Sequence, residues 1–545
     1  MHTHHLAMIL GVALSGALLA APQSTLAQQP LPRTADGRPN LDGIWQASST
    51  AAADLQDHAA RYNMLAGQSV VAGGVIPYQP WAAAKKAENF QNRQKADPLT
   101  QCYMPGVPRI MYLDFPFQIF QTPQAVAITF EWSLVYRLIY TDGSQHPADI
   151  ESWMGDSRGR WEGDTLVVDV AKYNDKTWFD MAGDFHSNAL HVVERYRMTG
   201  PDTIQYEASM EDSKVFTKPW TIRIPLRRRT DRDRLFEYIC QAESEEASGA
   251  FTREERTWYP GDGTSPRAVA ASPRGPAASL STSPRTTERR GDVQESCEGA
   301  AAPCALKAAA NIRRTADGKP DLQGFYESDT GAANQGLEKR AADPLVPAGR
   351  GVVADPPDGI LPMQPWAVQE RVSRNLPERG YDDPTAHCFP AGVPRSMYVP
   401  SALYIIQTSD YIVFLHERMA WRIVPLDGRA HLPDGIRLWQ GDSVGRWEGD
   451  TLVVDTTNLN GKTWLNEGGE IVSYAEHVVE RFTPAGPDTL NYEATVNDPV
   501  VYTRPWTIAF PVRRKKAQMY EYACHEEDHD LPHLKALKDA AAGRK

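Results

Sequence analysis

The amino-acid sequence predicts a mainly β protein made of two tandem antiparallel barrels or half-barrels, with short helices and a disordered linker. Three observations predict this: a long-period internal repeat, short stretches that alternate apolar and polar residues, and a middle segment almost devoid of large apolar residues. Consecutive hairpins favour an up-and-down barrel, because closure removes free sheet edges and leaves an interior that can hold a ligand.

The repeat is a single duplication of most of the chain. Its blocks, given as first and second copy, are RTADG-x-P-x-L-x-G (33–43 and 314–324), GVPR (106–109 and 392–395), GRWEGDTLVVD (159–169 and 445–455) and HVVER (191–195 and 477–481). The blocks keep their order, as expected of one duplicated unit. We therefore predict a signal peptide (1–27), a first β module (28–258), a flexible linker (259–311) and a second β module with a helical C-terminal tail (312–545).

The first 27 residues have the pattern of a cleavable export signal. An apolar stretch from Leu6 to Ala21 is followed by small residues that end at Ala27. We therefore expect the protein in the periplasm or outside the cell. No later run reaches the roughly 20 apolar residues of a membrane helix, so no membrane span is predicted.

Alternating residues predict the strands of each module. Val126, Ile128, Phe130 and Trp132 share one face of a predicted strand. A hairpin is predicted over 191–210, with its turn at 200–202. Helical patterns are confined to short stretches, at 81–95, 366–374 and the tail from residue 531.

The six cysteines fit this organisation. Cys102 and Cys240 of the first copy correspond to Cys388 and Cys524 of the second, which predicts one disulfide per module. The linker, rich in Pro, Ser, Ala and Gly, cannot bury enough apolar surface to order itself, and it contains Cys297 and Cys304, close enough for a small local loop. A catalytic thiol or a zinc site is the less favoured alternative, because neither copy has C-x-x-C spacing.

Charge and motifs exclude several classes of function. A net charge of −12 and a pI near 5.7 argue against binding to nucleic acid or an anionic membrane. The sequence contains no P-loop and no dinucleotide fingerprint after a strand, so nucleotide-dependent enzymes lack support. We therefore predict no cofactor and no metal.

On the RTADG-x-P-x-L-x-G, GVPR and GRWEGDTLVVD motifs, the chain resembles a family of exported bacterial proteins. The resemblance covers both copies and implies no activity. At the level of the fold, Gly43-Ile44-Trp45 is similar to the Gly-x-Trp that closes the floor of lipocalin-like (calycin) barrels, although Tyr326 replaces the tryptophan in the second copy. A fold of this kind would not by itself define a function.

Ionisable residues that occur in both copies are the candidates for chemistry. The catalytic candidates are Glu131, His146, His191, Glu417, His431 and His477, and the ligand-binding candidates are Arg195, Arg481, Trp161 and Trp447. Asp156 and Glu194 also recur, as Asp442 and Glu480. A glutamate that continues an apolar strand face is suited to general acid–base work if burial raises its pKa. The alternative for every candidate is a role in turns, packing or surface ion pairs, and the sequence leaves open which face of 191–197 points inward.

Three functions fit these observations. The leading hypothesis is a protein that binds a small apolar or aromatic molecule in a barrel cavity, with Trp and Tyr as walls and His191, Arg195 and Glu131 as the polar end. The second is a cofactor-independent isomerase, lyase or hydratase that uses glutamate and histidine as acid and base. The third is a structural or cell-envelope interaction protein made bivalent by duplication.

Overall fold

The computed structural model of the protein describes residues 30–61, 64–248, 311–330, 332–342, 348–418, 420–526, 528 and 530–543. The predicted signal peptide, most of the predicted linker, and Cys297 with Cys304 lie outside the described residues. Within them, each module forms one barrel-like sheet, so the predicted mainly β fold with two tandem barrels is confirmed.

The first module is a closed barrel. Its described strands are β1 (Gly43–Ala47), β2 (Phe117–Gln121), β3 (Ala125–Phe130), β4 (Tyr136–Tyr140), β5 (Asp156–Glu162), β6 (Thr165–Ala171), β7 (His191–Gly200), β8 (Thr203–Glu211) and β9 (Trp220–Arg228). Neighbours in the barrel follow chain order, and β1 also pairs with β9, which closes the sheet.

One neighbouring pair in this barrel is parallel. β4 meets β5 only through Tyr140 and Arg158, and we call this junction the first seam. A closed barrel with an odd number of strands cannot alternate direction all the way round, so one parallel pair is unavoidable. The sequence predicted antiparallel neighbours only, and the odd strand number explains the difference.

The second module repeats this order and is nearly closed. Its described strands are β10 (Gly324–Ser328), β11 (Val353–Asp355), β12 (Leu403–Gln407), β13 (Tyr411–His416), β14 (Ala420–Pro425), β15 (Asp442–Glu448), β16 (Thr451–Thr457), β17 (His477–Gly486), β18 (Thr489–Asn497) and β19 (Trp506–Lys515). β14 and β15 are the two ends of the sheet and lie next to each other, and we call this junction the second seam. The short β11 pairs with β19 beside the main order.

Short helices flank the barrels. They are α1 (Pro80–Ala96), α2 (Cys240–Ser248), α3 (Pro365–Arg374) and α4 (Leu531–Ala542). α1 and α3 each begin with a proline, whose fixed φ suits the first helical turn. The predicted helical stretches at 81–95 and 366–374 and in the tail are confirmed, whereas α2 was not predicted. No helix in the described ranges is long and apolar enough to cross a membrane.

Burial along β7 decides which face of this strand points inward. Val192, Glu194, Tyr196 and Met198 are buried, while the alternate residues from His191 onward are half-buried or exposed. Successive side chains of a strand point to opposite faces. His191 and Arg195 therefore lie on the outer surface of the barrel, and Glu194 lies inside it.

The two modules pack directly against each other. The outer faces of their first four strands form one apolar cluster, which includes Ile44, Phe120, Ala127 and Tyr140 of the first module and Phe325, Tyr404, Val413 and Trp421 of the second. The indole N–H of Trp421 also donates to the backbone carbonyl of Phe130 at 2.9 Å. Removal of this apolar surface from water favours the association of the modules.

After its last strand, each module sends a segment across to the other. Residues 229–239, the first arm, follow β9, and residues 516–526, the second arm, follow β19. The carboxylate of Glu237 accepts the backbone N–H groups of Trp439 and Gln440 at 2.5 and 2.8 Å. Glu521 accepts those of Trp153 and Met154 at 2.7 and 2.9 Å. The exchange is therefore reciprocal.

A disulfide anchors each arm to its own module. Cys102 is bonded to Cys240 and Cys388 to Cys524, across sequence separations of 138 and 136 residues, as the matched cysteines predicted. Loops of this length give a chain-entropy stabilisation of up to about 5 kcal/mol each.

Candidate functional site

A cavity lies at the seam of each module, under an arm of the other module. The first seam cavity has a volume of about 80 Å³, and its lining includes Tyr136, Arg137, Tyr140, Met154 and Asp156, with Met519 and Glu521 of the second arm. The second has a volume of about 50 Å³, and its lining includes Trp421, Arg422, Ile423, Gln440 and Asp442, with Leu235 and Glu237 of the first arm. Equivalent positions of the repeat thus form both cavities.

A buried ion pair lies behind the first seam cavity. The Nη2–H and Nη1–H of Arg137 donate to the two carboxylate oxygens of Glu194 at 2.6 and 3.2 Å. The hydroxyls of Tyr206 and Tyr196 donate to Glu194 Oε1 at 2.7 and 3.0 Å. Burial by itself lowers the pKa of Arg137, but the adjacent Glu194 charge outweighs it and raises the pKa above its usual value. Arg137 therefore remains charged inside the barrel, next to the carboxyl group of Glu194.

The second module has the same pair with one tyrosine fewer. Arg422 Nη1 contacts Glu480 Oε2, and Nη2 donates to Oε1 at 3.0 Å. Tyr492 donates its hydroxyl to Glu480 at 2.9 Å, while Phe482 occupies the place of Tyr196. The two arginines thus pair with Glu194 and Glu480, and not with the predicted catalytic residues Glu131 and Glu417.

Polar atoms at these cavities are left without partners. Among the residues that the structure describes, Nε of Arg137, the hydroxyl of Tyr136 and Nε of Arg422 are buried and make no hydrogen bond. Buried donors are nearly always paired in folded proteins, with protein, water or ligand. Each seam cavity is thus lined by an arginine whose Nε–H has no partner within the described protein.

A histidine and two aspartates flank the first seam on the outside. His146, in the loop after β4, contacts Asp156 Oδ1 through Nδ1 at 2.6 Å and Asp169 Oδ1 through Nε2 at 3.1 Å. His191 Nε2 reaches the same Asp169 oxygen at 3.0 Å. Two of the predicted histidines are therefore brought together, by a carboxylate that the sequence reasoning did not select. Asp169 is the last residue of the GRWEGDTLVVD block, which is identical in the two copies. This identity was the sequence feature that could have identified Asp169 as a candidate.

The same cluster is present in the second module. His431 contacts Asp442 and Asp455 at 3.0 and 3.1 Å, and His477 contacts Asp455 at 3.0 Å. Burial by itself lowers the pKa of His431, but hydrogen bonds to the two carboxylates outweigh it and raise the pKa to about 9. The imidazoles in turn lower the pKa of Asp455, against the effect of burial. His431 is thus a cation held between two anions at neutral pH.

The two predicted glutamates lie elsewhere. Glu131 accepts the Nη1–H of Arg232 and the backbone N–H of Phe236, each at 2.9 Å, and so holds the first arm. Glu417 accepts the backbone N–H of Ala402 at 3.0 Å. In the structure, these carboxylates bind backbone and arm groups instead of the histidines with which the sequence grouped them.

Of the predicted ligand-binding residues, Arg195 and Arg481 lie on the outer surface, whereas Trp161 and Trp447 are half-buried and pack against the barrel cores. Arg195 donates to Glu162 at 3.0 Å, and Arg481 pairs with Glu448 at 3.0 Å. The ring of Trp161 faces the guanidinium of Arg38 at 5.5 Å, and that of Trp447 faces the Lys319 ammonium at 5.9 Å. Their assignment to a ligand stays a prediction.

Three carboxylates of the first module also gather outside the seam. Asp54, Asp180 and Asp184 each offer an oxygen within 4.8 Å of the others, an arrangement the sequence analysis did not find. The ammonium of Lys86 lies 2.9 Å from Asp184, and the hydroxyl of Tyr78 donates to it at 2.7 Å. An internal cation and a donor thus already contact the group.

No protein-family model matches this chain, and no curated protein matches it either. The resemblance to exported bacterial proteins and to lipocalin-like barrels therefore stays a prediction.

Proposed function

We propose that this protein is an exported binding protein in which each module holds a small, largely apolar molecule at its seam. A hydrogen-bond acceptor of that molecule would lie on the guanidinium of Arg137 in the first module and of Arg422 in the second. The observation that carries the proposal is the unpartnered Nε–H in both modules, each beside a cavity and each within the described chain.

The walls of the cavities support a largely apolar ligand. The apolar and aromatic lining comprises Tyr136, Tyr140, Ile150 and Met154 with Met519 in the first cavity, and Tyr411, Trp421, Ile423 and Leu438 with Leu235 in the second. Small-molecule sites usually combine such walls with a few polar groups that fix the orientation of the ligand. Core side chains occupy the barrel interiors, so we place the ligand at the seams. The two disulfides support an oxidising location, periplasmic or secreted.

Calorimetric titration with benzoate, a flat ring with a carboxylate acceptor, tests this proposal. Wild-type protein is expected to bind two equivalents. Arg137→Lys keeps a charge opposite Glu194 but removes the Nε–H, so one equivalent should weaken ten- to hundredfold, as expected for the loss of a charge-assisted hydrogen bond of about 1.5–3 kcal/mol. Arg422→Lys should weaken the other equivalent.

The matched control is Arg160→Lys, which changes an arginine on the outer surface that pairs with Glu162. It should leave both equivalents intact. Circular dichroism of each variant reports whether the barrels are still folded. Absence of binding to the wild type, or full binding to the variant with both seam arginines changed, would refute the proposal.

A cofactor-independent isomerase, lyase or hydratase is the second candidate. It is favoured by the placement of Asp156 and Asp442, which line the cavities and contact His146 and His431. Such a pair can move a proton at a bound ligand. Exchange of the acidic C–H of phenylacetone in D₂O, followed by NMR, should then disappear when both aspartates are changed to asparagine. Equal exchange rates in the double variant and the wild type would exclude this candidate. The envelope-interaction hypothesis stays a prediction.

A further inference from the structure

Three polar side chains of the second module stand where the first module has core apolar residues. His416 and Phe130 are the last residues of the equivalent strands β13 and β3. Ser396 follows the second GVPR block as Ile110 follows the first, and Gln440 precedes Gly441 as Met154 precedes Gly155. Ile110, Phe130 and Met154 all belong to the core of the first barrel.

The three polar residues line one cavity. Its wall also includes Phe389, Pro390, Val399 and the disulfide cysteines Cys388 and Cys524. This cavity has a volume of about 30 Å³, roughly the space of two water molecules. The exposed Arg418 borders it, so a larger molecule can bury a polar group here and extend past Arg418 toward solvent.

Each of these three side chains has at least one buried polar atom without a hydrogen-bond partner among the described residues. In the described chain, Ser396 Oγ, His416 Nε2, and both Gln440 Nε2 and Oε1 are buried without a hydrogen bond. The three residues are only 8, 3 and 2% exposed. Buried polar atoms without partners are rare and costly in folded proteins. Their convergence on one cavity therefore indicates that a polar group occupies it.

The electrostatics of the cavity favour a neutral occupant. Burial, and to a lesser extent the charge of Arg422, lowers the pKa of His416 to about 3, so its imidazole is uncharged at neutral pH. Among the lining residues that the structure describes, Arg418 alone carries a formal charge, and it lies at the exposed side. A buried ion would lack a buried counter-charge and would be strongly disfavoured.

We propose that the second module has a separate binding site, formed by Ser396, His416 and Gln440, for a small neutral molecule with a hydroxyl or amide group. The serine hydroxyl, the imidazole and the amide together supply donors and acceptors for such a group. This site is distinct from the second seam cavity, because Ser396 and His416 line only this cavity, while Gln440 lies between the two and lines both. The first module cannot offer it, since its three equivalent side chains are apolar.

Titration of the full-length, disulfide-intact protein with phenol tests this site. Phenol is neutral at pH 7, by analogy with the tyrosine side chain, and combines a hydroxyl with a flat apolar ring. We expect phenol to bind at this site and to shift the imidazole C–H resonance of His416, which distinguishes this site from any phenol bound at a seam. His416→Phe and Ser396→Ile install the side chains of the first module and should each weaken phenol binding at least tenfold.

The matched control is Ile110→Val, at the position in the first module equivalent to Ser396, and it should leave phenol affinity unchanged. If His416→Phe fails to fold, Ser396→Ile and the resonance shift still decide the result. Failure of phenol to bind, or unchanged affinity in both variants, overturns the proposal. Benzoate binding at the seams should not respond to either variant, so failure of this site is distinguishable from failure of the seam proposal.

Discussion

At each seam an arginine contacts the aspartate of the strand after the junction, but the two arginines come from different parts of the chain. In the first module, Arg158 on β5 donates to Asp156 at 2.6 and 2.8 Å and lies 4.7 Å from the ring of Tyr140. Val444 takes the position of Arg158 in the second module, and Arg234 of the first arm contacts Asp442 there at 2.7 Å. The second seam therefore takes its cation from the first module. The same charge is thus supplied from within the module at one seam and by the neighbouring module at the other.

The barrel interiors differ in a second way. Glu194 accepts hydrogen bonds from two tyrosines besides Arg137, whereas Glu480 accepts from Tyr492 besides Arg422. A buried carboxylate that loses its arginine depends on the donors that remain. The two modules should therefore respond unequally when the ion pair is broken.

Breaking the buried ion pair of either module should cause the largest loss of stability. Arg422→Met leaves Glu480 with one tyrosine, and Arg137→Met leaves Glu194 with two. We expect each change to reduce the free energy of unfolding by about 3–5 kcal/mol, with the larger loss for Arg422→Met. Urea unfolding followed by circular dichroism measures both.

The double variant Arg137→Met/Glu194→Leu is the control for this prediction. It removes both charges, so much of the stability lost in Arg137→Met should return. An equal loss in the two single variants would mean that the tyrosine donors do not explain the difference between the interiors.

A rise in pH should change the free energy of unfolding by a smaller amount. The folded-state pKa of His431, about 9, lies above its usual 6.5, so the protonated imidazole stabilises the fold fully below about pH 6.5. This stabilisation is lost as the pH rises through about 9. Linkage gives about 2 kcal/mol after a discount for partial exposure of the ring.

The measurement is the free energy of unfolding at pH 6 and pH 9.5. The decrease between these values should be about 2 kcal/mol smaller in His431→Gln than in the wild type. His146→Gln, measured in parallel, shows whether the two clusters contribute alike. If the decrease in His431→Gln equals that in the wild type, this histidine does not cause the pH dependence of stability.

Substitutions on the outer surface of the barrels should have the smallest effect on stability. Arg195→Ala and Arg481→Ala each remove an exposed ion pair, and such pairs contribute little to stability in most proteins. Thermal melting should therefore change little, and benzoate should bind as it does to the wild type. A marked loss of benzoate binding in either variant would restore these arginines as ligand-binding residues and count against the seams.

Much of the fold was predictable because its signals are local. The alternation from Val126 to Phe130 and the hairpin over 191–210 correspond to β3 and to β7 with β8. The matched cysteines predicted both described disulfides. The site was less predictable. The sequence grouped Glu131 with His146 and His191, whereas the structure places Glu131 against the first arm and brings the histidines to Asp169.

By itself, the sequence determined the duplication, the strands and the cysteine pairing, because repeats and two-residue periodicity are properties of neighbouring positions. Tertiary structure alone decided that Glu194 points into the barrel and Arg195 out of it, since period two defines two faces without saying which is buried. It also decided the exchange of the arms and the meeting of Ser396, His416 and Gln440 at one cavity. Those contacts join positions far apart in the chain, and only packing of the closed sheets brings them together.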